Sequence, residues 1–455
     1  MTDTTRRLAQ YIVDARPDGL PDAVRREAPR AFVNWLGCAL GGSPDISVTT
    51  ALAALAPLSG PPQATVIGRR MRLDMVHATF FNCLASSSQA YDDTHLATIA
   101  HPTGVTATGI LALAEGRGAR VSGADFLHAL MLGIEVQCRM SRMLVEPPAK
   151  SAVGMFMTGF TGAMGTAAAV GKLMGLDEQR MMWALSVAAT QGAGFRETHG
   201  SMSVGFVRAH AARCGLVAAL LAEQGFTASD HSLEAPRGFA AYAENANLDI
   251  VTRGLGSHYE CLGVAYKPYA CAIVVHPAID VAREFIASVA GQGDAVKGIE
   301  LRVHPLAVEL SGKTAPINAN YARISASHWV AATVLKGTQG LRKLAGLDGS
   351  SDGYVDDAAV VALRGKVTLV GDAKVGRDEA RGTLTLSDGR VIDAHVEHCR
   401  GSLARPMTDD ELSEKFMPQA LMVLKPEVAK EALEQSWRMY EMPDVGAFAG
   451  RLLGG

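Results

Sequence analysis

The sequence has no surplus of either charge. Its 455 residues carry 43 basic and 46 acidic side chains, a net of −3. Nucleic-acid binders show a basic excess or a Lys/Arg stripe, and neither is present. Cysteine is sparse: Cys38, Cys83, Cys138, Cys214, Cys261, Cys271 and Cys399 are an odd set with no C-x-x-C pair. That excludes a zinc knuckle and a disulfide framework and points to a reducing cytoplasm. The first residues, MTDTTRRLAQYIVDARPDGLPD, hold three arginines without the apolar run of a signal peptide. Neither G-x-S-x-G nor H-E-x-x-H occurs. Gly312-Lys313-Thr314 lacks the leading glycine of a phosphate loop, because Ala307 stands there. Gly254-x-Gly256 lacks its third glycine and a preceding strand. Nucleotide binding and zinc proteolysis therefore lose support.

What the chain does have is apolar mass. Hydrophobic residues make up 48% of it, enough to rule out low-complexity disorder, and the length predicts about two or three domains. Ser151 to Gly171 carries no charge, but its glycines at 154, 159, 162, 165 and 171 read as a tightly packed helix with its entry loop. We expect no membrane span there. Helical spacing marks Pro21–Leu40, Arg72–Ser88, Thr103–Gly116, Gly123–Met143, Thr161–Leu173, Asp177–Gln191 and Val207–Gln224. The texture changes near Gly254. Residues 297–304, Val367–Val370, Gly382–Leu386 and Val391–Val396 alternate like strands. Asp388-Gly389 between the last two is a hairpin signal. Helices Ala278–Val289 and Ala322–Lys336 lie among them. After Arg405, Thr408-Asp409-Asp410-Glu411 opens a helix and Glu427–Met439 forms another; both are placed to pack back on the first part. The expected fold is mainly α: a helical domain from residues 1–255 and 406–455, and an α+β domain from 256–405.

Three clusters carry chemistry. The first is Tyr91-Asp92-Asp93-Thr94-His95, followed by His101-Pro102-Thr103-Gly104. Proline suits the first helical position, so His101 stands at a helix entrance beside unpaired N–H groups. That setting favours a neutral imidazole and a bound carboxylate, to which Thr103 could donate. The second is Tyr266-Lys267-Pro268-Tyr269, then His276-Pro277-Ala278-Ile279-Asp280. A buried lysine there would shift its pKa or pair with an acid. The third is Arg323-Ile324-Ser325-Ala326-Ser327-His328; Arg323 and His328 do not share a helical stripe. His304-Pro305 reads as a turn. Cations, imidazoles and helix entrances together describe a pocket for a small polycarboxylate. Proton removal next to a carboxylate needs a placed base and charge stabilisation. Two other classes fit less well: a metal-dependent hydrolase on Asp92, Asp93, His95 and His101, and a binding protein without turnover.

At these residues the chain resembles the MmgE/PrpD family, which includes 2-methylcitrate dehydratase, cis-aconitate decarboxylase and iminodisuccinate epimerase. The likeness lies in Leu36-Gly37-Cys38-Ala39-Leu40-Gly41-Gly42, Asp92-Asp93-Thr94-His95…His101-Pro102 and Gly159–Gly165. It continues in Lys267-Pro268-Tyr269…His276-Pro277-Ala278-Ile279-Asp280 and Arg323-Ile324-Ser325. The resemblance implies a large all-helical domain built from both chain ends, a smaller α+β lid, a site between them, a homodimer and catalysis without cofactor or metal. On this reading His101 is the acid/base, Lys267 a carboxylate clamp or second base, and Asp93 the group that orients His101. Thr94, Thr103 and Arg323 would bind substrate, with His276 and His328 as further candidates. The chain departs from the family's pattern at Ala90 (usually Asp), Phe156 (often His), Val204-Gly205 (often Lys-Pro) and His328 (often Tyr). Those departures remove one imidazole and one ammonium. They argue against cis-aconitate decarboxylation and leave methylcitrate itself open as the substrate; a 2-methylcitrate dehydratase-like hydro-lyase stands ahead of an epimerase because dehydration is the commoner activity in the family.

Overall fold

The computed structural model of the chain describes residues 3–347 and 352–454. Nine helices form its first part: α1 (Thr4–Asp14), α2 (Asp22–Gly42), α3 (Ile46–Leu55), α4 (Met75–Ser88), α5 (Pro102–Gly116), α6 (Gly123–Val145), α7 (Met157–Met174), α8 (Glu178–Ala189) and α9 (Ser203–Glu223). Their starts follow local chemistry. Asp74 caps α4 by accepting from the N–H groups of Val76 and His77, both at 2.9 Å, so the helix expected from Arg72 begins three residues later. Small residues set the helix spacing. A Cβ at Gly133 of α6 would lie 2.6 Å from the Gly165 carbonyl of α7, and one at Gly165 equally close to the Gly133 carbonyl. The uncharged 151–171 run is thus the price-free face of two backbones in contact, not a span. Among the described residues only α9 is long and apolar enough to cross a bilayer; here Gly215 packs it against the Ala163 carbonyl of α7.

This part is not wholly helical, contrary to expectation. Strands β1 (Ala64–Thr65) and β2 (Arg72–Leu73) pair, and β3 (Thr94–His95) pairs with β4 (Val264–Ala265). A two-residue ladder leaves no periodic pattern to read. After the short α10 (Asp249–Thr252), Cys261, Val264 and Tyr266 still pack in the helical core. From Tyr269 on, buried apolar side chains pack in a second core, which Cys38 and Tyr91 of the first part also join.

That second core is built by α11 (His276–Glu284), α12 (Ile286–Val289), β5 (Val296–Val303), α13 (Pro305–Ser311), α15 (Ala326–Leu344), α16 (Ala358–Arg364), β6 (Val367–Gly371), β7 (Ala380–Leu386) and β8 (Val391–Val396), with the short α14 (Ala319–Ala322) leading into α15. The sheet order is β6-β5-β7-β8, with β5 and β6 parallel and the other pairs antiparallel. Gly389 turns the β7–β8 hairpin at φ +90°. Gly337, at φ +66°, breaks α15 just after Lys336. His304-Pro305, expected as a turn, starts α13, and His304 accepts from the Leu306 N–H at 3.1 Å.

The chain then returns. Helices α17 (Asp409–Ala420), α18 (Pro426–Trp437) and α19 (Val445–Ala449) join the first core. Phe32 of α2 meets Trp35, Phe126 and Phe448 at ring distances of 5.4, 5.5 and 6.2 Å, one aromatic cluster shared by both ends of the chain.

Candidate active site

The β3–β4 ladder places the segment after Asp92 beside the one before Lys267, with Thr94 opposite Ala265. His101 is the residue before α5. Its backbone N–H donates to Thr158 Oγ1 at 2.9 Å, and its Nδ1 lies 2.6 Å from the Asp93 carbonyl. A carbonyl only accepts, so Nδ1 carries the proton and Nε2 is the free base. Burial, then Arg208, hold the imidazole well below its ordinary pKa, so it is neutral at physiological pH. The Asp93 side chain takes a different role. Its Oδ2 accepts from the Thr103 N–H (3.2 Å) and hydroxyl (2.7 Å), closing the α5 N-terminus. Burial and the neighbouring Asp92 charge push its carboxyl up to about 6.

Asp92 is the centre of a buried charge network. Lys267 Nζ donates to Oδ1 at 3.0 Å and Arg208 to Oδ2 at 2.6 Å, while His101 Nδ1 lies 3.5 Å from Oδ2. Burial alone would raise this carboxyl; Arg208 and Lys267 outweigh it and hold it below the usual carboxylate range. Behind the network, Lys415 of α17 donates to Asn34 Oδ1 (2.7 Å) and to the carbonyls of Tyr91 (2.7 Å) and Lys267 (2.8 Å). Burial lowers its ammonium to about 8. A lysine from the returning C-terminal helix thus ties together the two segments that carry Asp92 and Lys267.

His101, Lys267, Arg208 and Arg323 face a cavity of about 370 Å³. Arg323 donates to the Ser88 carbonyl and to Asn320 Oδ1 (2.8 Å), and its Nε has no partner. The structure brings these sequence-derived residues together and leaves others out. Thr94 and Thr103 are fully buried behind His101 and do not line the cavity; the Thr103 hydroxyl is spent on Asp93, so it is not free for a ligand. His276 is buried edge-on to Tyr269, with ring centroids 5.3 Å apart, outside the cavity. His328 Nε2 is spent on the Gly353 carbonyl at 2.8 Å. The alternative metal quartet of Asp92, Asp93, His95 and His101 does not assemble. Both Asp92 oxygens are held by cations, and His95 Nδ1 lies 2.9 Å from Thr98 Oγ1.

Sequence reasoning missed Arg208, His199 and Lys415. His199 repeats the His101 arrangement: its Nδ1 lies 2.5 Å from the Arg196 carbonyl, leaving Nε2 unbonded in the same cavity. The Phe156 ring sits between the two imidazoles, with centroids 6.3 Å from His101 and 5.3 Å from His199. Arg208 lies over that ring at 5.5 Å. No motif announced these residues; Arg208 and Lys415 sit inside ordinary helical patterns.

Comparison with known proteins fits this architecture. The MmgE/PrpD N-terminal domain matches residues 6–249 and the MmgE/PrpD C-terminal domain residues 269–439. The chain belongs to the MmgE/PrpD family. Its relatives include a cis-aconitate decarboxylase-like protein of Aspergillus oryzae, 26% identical with 93% of this chain and 92% of that protein covered. The cis-aconitate decarboxylase of Homo sapiens is 25% identical over 99% of this chain and 94% of its own length; that of Mus musculus is also 25% identical, over 100% and 94%. Ala90, Phe156 and Val204, three positions singled out in the sequence, all line the cavity. Ala90 and Ile99, which flank the Asp92–Thr94 segment, take left-handed φ of +51° and +57°, a strained conformation for an alanine and an isoleucine.

Proposed function

We propose that the protein is a lyase that acts on a small polycarboxylate by moving a proton next to a carboxylate. The observation that carries this is the His101 ring. Its Nδ1–H is fixed on the Asp93 carbonyl, its Nε2 is unbonded, and the cationic pair on Asp92 stands beside it. Substrate carboxylates would sit against Lys267, Arg208 and Arg323. Nε2 takes the proton from the carbon next to the carboxylate, and the nearby ammonium and guanidinium groups stabilise the negative charge that develops on the carboxylate oxygens. The imidazolium so formed is stabilised by Asp92, 3.5 Å away. A dianionic substrate also adds negative charge at the ring, which raises its basicity from the depressed value of the empty site.

Loss of water is the leading reaction: the hydroxyl leaves with a proton supplied by Lys267, and a carbon–carbon double bond forms. Decarboxylation is the second reading, favoured by the names of the relatives; there a carboxylate leaves as carbon dioxide and the carbon takes up a proton. Proton NMR in heavy water with citrate-, aconitate- and aspartate-like acids separates them. An alkene with water loss supports the first reading, and deuterium at a carbon that has lost its carboxylate supports the second. Deuterium uptake without net conversion indicates an epimerase. No exchange, elimination or decarboxylation with any of these acids would overturn the proposal.

A further inference from the structure

The cavity is lined by two unlike sets of side chains. His101, Lys267, Arg208 and Arg323 are one. Val153, Phe195, Val204, Ile273 and Val274, together with the Phe156 ring under Arg208, are the other, its apolar wall. Ile99, Ile273 and Val274 also line a second hollow of about 300 Å³, so the apolar side continues past the cavity itself. Charge is limited. The cations facing the cavity are Arg196, Arg208, Lys267, Lys313 and Arg323; against them stand Glu197 and Glu309 on the lining and Asp92 behind it. The surplus of two matches two carboxylates, not three. Two guanidinium donors, Arg208 Nε and Arg323 Nε, are buried without a partner, a condition that costs stability. A volume of about 370 Å³ falls within the range of roughly 300–1,000 Å³ typical of drug-sized ligand sites, more than a bare four-carbon diacid needs.

We infer that the substrate is a dicarboxylate carrying a branched-alkyl or aryl substituent. One carboxylate meets Arg323, the other meets Arg208 and Lys267, and the substituent lies between Phe156, Phe195, Val204 and Val274. This rests on the lyase reading for the identity of the site and adds the class of substrate. An apolar arm gains free energy by leaving water, whereas a third carboxylate set against the apolar wall would lose its hydration without a counter-charge.

Calorimetric titration of the full chain with succinate, methylsuccinate, butylsuccinate, phenylsuccinate and tricarballylate tests the inference. Kd should fall about fourfold per added methylene until the wall is filled. Phenylsuccinate should bind more tightly than tricarballylate. Phe195→Ser, at an exposed position, should remove most of the gain from the phenyl group. Val204→Lys, which places an ammonium on the apolar wall, should reverse the order in favour of tricarballylate. A flat series, tighter binding of tricarballylate to the unaltered protein, or no binding by any of the five overturns the inference. Deuterium exchange on the acids that bind is read separately, with His101→Ala as the control. Binding in the expected order without exchange would sink the lyase reading and leave the substrate class standing; exchange with the opposite order would do the reverse.

Discussion

His101-Pro102 and His276-Pro277 are the same dipeptide at the same kind of place, a helix start, and they end in opposite situations. His101 precedes its helix in extended backbone (φ −119°, ψ 85°), with one nitrogen on a carbonyl and the other toward the cavity. His276 already has helical angles (φ −57°, ψ −43°) because a 3-10 turn, Ile273–Val275, leads straight into it. Its ring is buried among core side chains. The Tyr269 and Cys271 carbonyls lie near, but neither ring nitrogen has a partner in hydrogen-bond geometry. What lies in front of the helix entrance, not the dipeptide, decides whether a histidine does chemistry.

The sharpest way to break this comparison is to exchange both rings. His101→Asn should lower kcat by about 10²–10⁴-fold with an unchanged melting temperature. His276→Phe keeps a ring against Tyr269 and should leave kcat within about twofold, since an unpartnered buried polar group is replaced by an apolar one. A His276→Phe enzyme that is folded and inactive would overturn the distinction. Lys267→Met, next in size, leaves Asp92 with one cation. Breaking a buried pair costs about 3–5 kcal/mol, measurable by urea unfolding, and activity should fall with it.

Lys415→Met tests whether the two chain segments need their common tie. The variant should lower kcat by about 10–100-fold through displaced groups, with a smaller change in KM, because Lys415 does not line the cavity. The last two tests use pH. Asp93 gains its proton near pH 6, so the kcat profile should show a limb there that Asp93→Asn removes, while the His101 clamp survives because it uses the backbone carbonyl. Burial holds both His101 and His276 well below the ordinary histidine value. Below about pH 6.5 the unfolded chain therefore binds protons that the folded chain refuses, and stability falls as pH drops. His276→Phe should flatten that fall, read from melting temperatures between pH 7 and 5.

Much of the frame was legible. The 3.6-residue spacing located α2 and α4 through α9, and the Asp-Gly signal located the β7–β8 turn, because both are set by neighbours in sequence. The helix entrance at His101 was legible for the same reason. The short β3–β4 ladder and helices α1 and α3 were not, since two residues carry no period and short helices few turns. Arg208, His199 and Lys415 were invisible because their roles come from partners 116, 43 and 148 or more positions away (Asp92, Phe156 and Lys267).

The sequence by itself determined a mainly helical chain with small sheets, a helix-start histidine and a lysine set between apolar residues. These follow from periodicity, capping and turn chemistry, which act over a few residues. Only the tertiary structure decided that Lys267 and Arg208 share Asp92 beside His101, that His276 and His328 stay out of the cavity, and that one wall is apolar. Those outcomes depend on Coulomb attraction, burial and packing between distant segments, which local sequence does not encode.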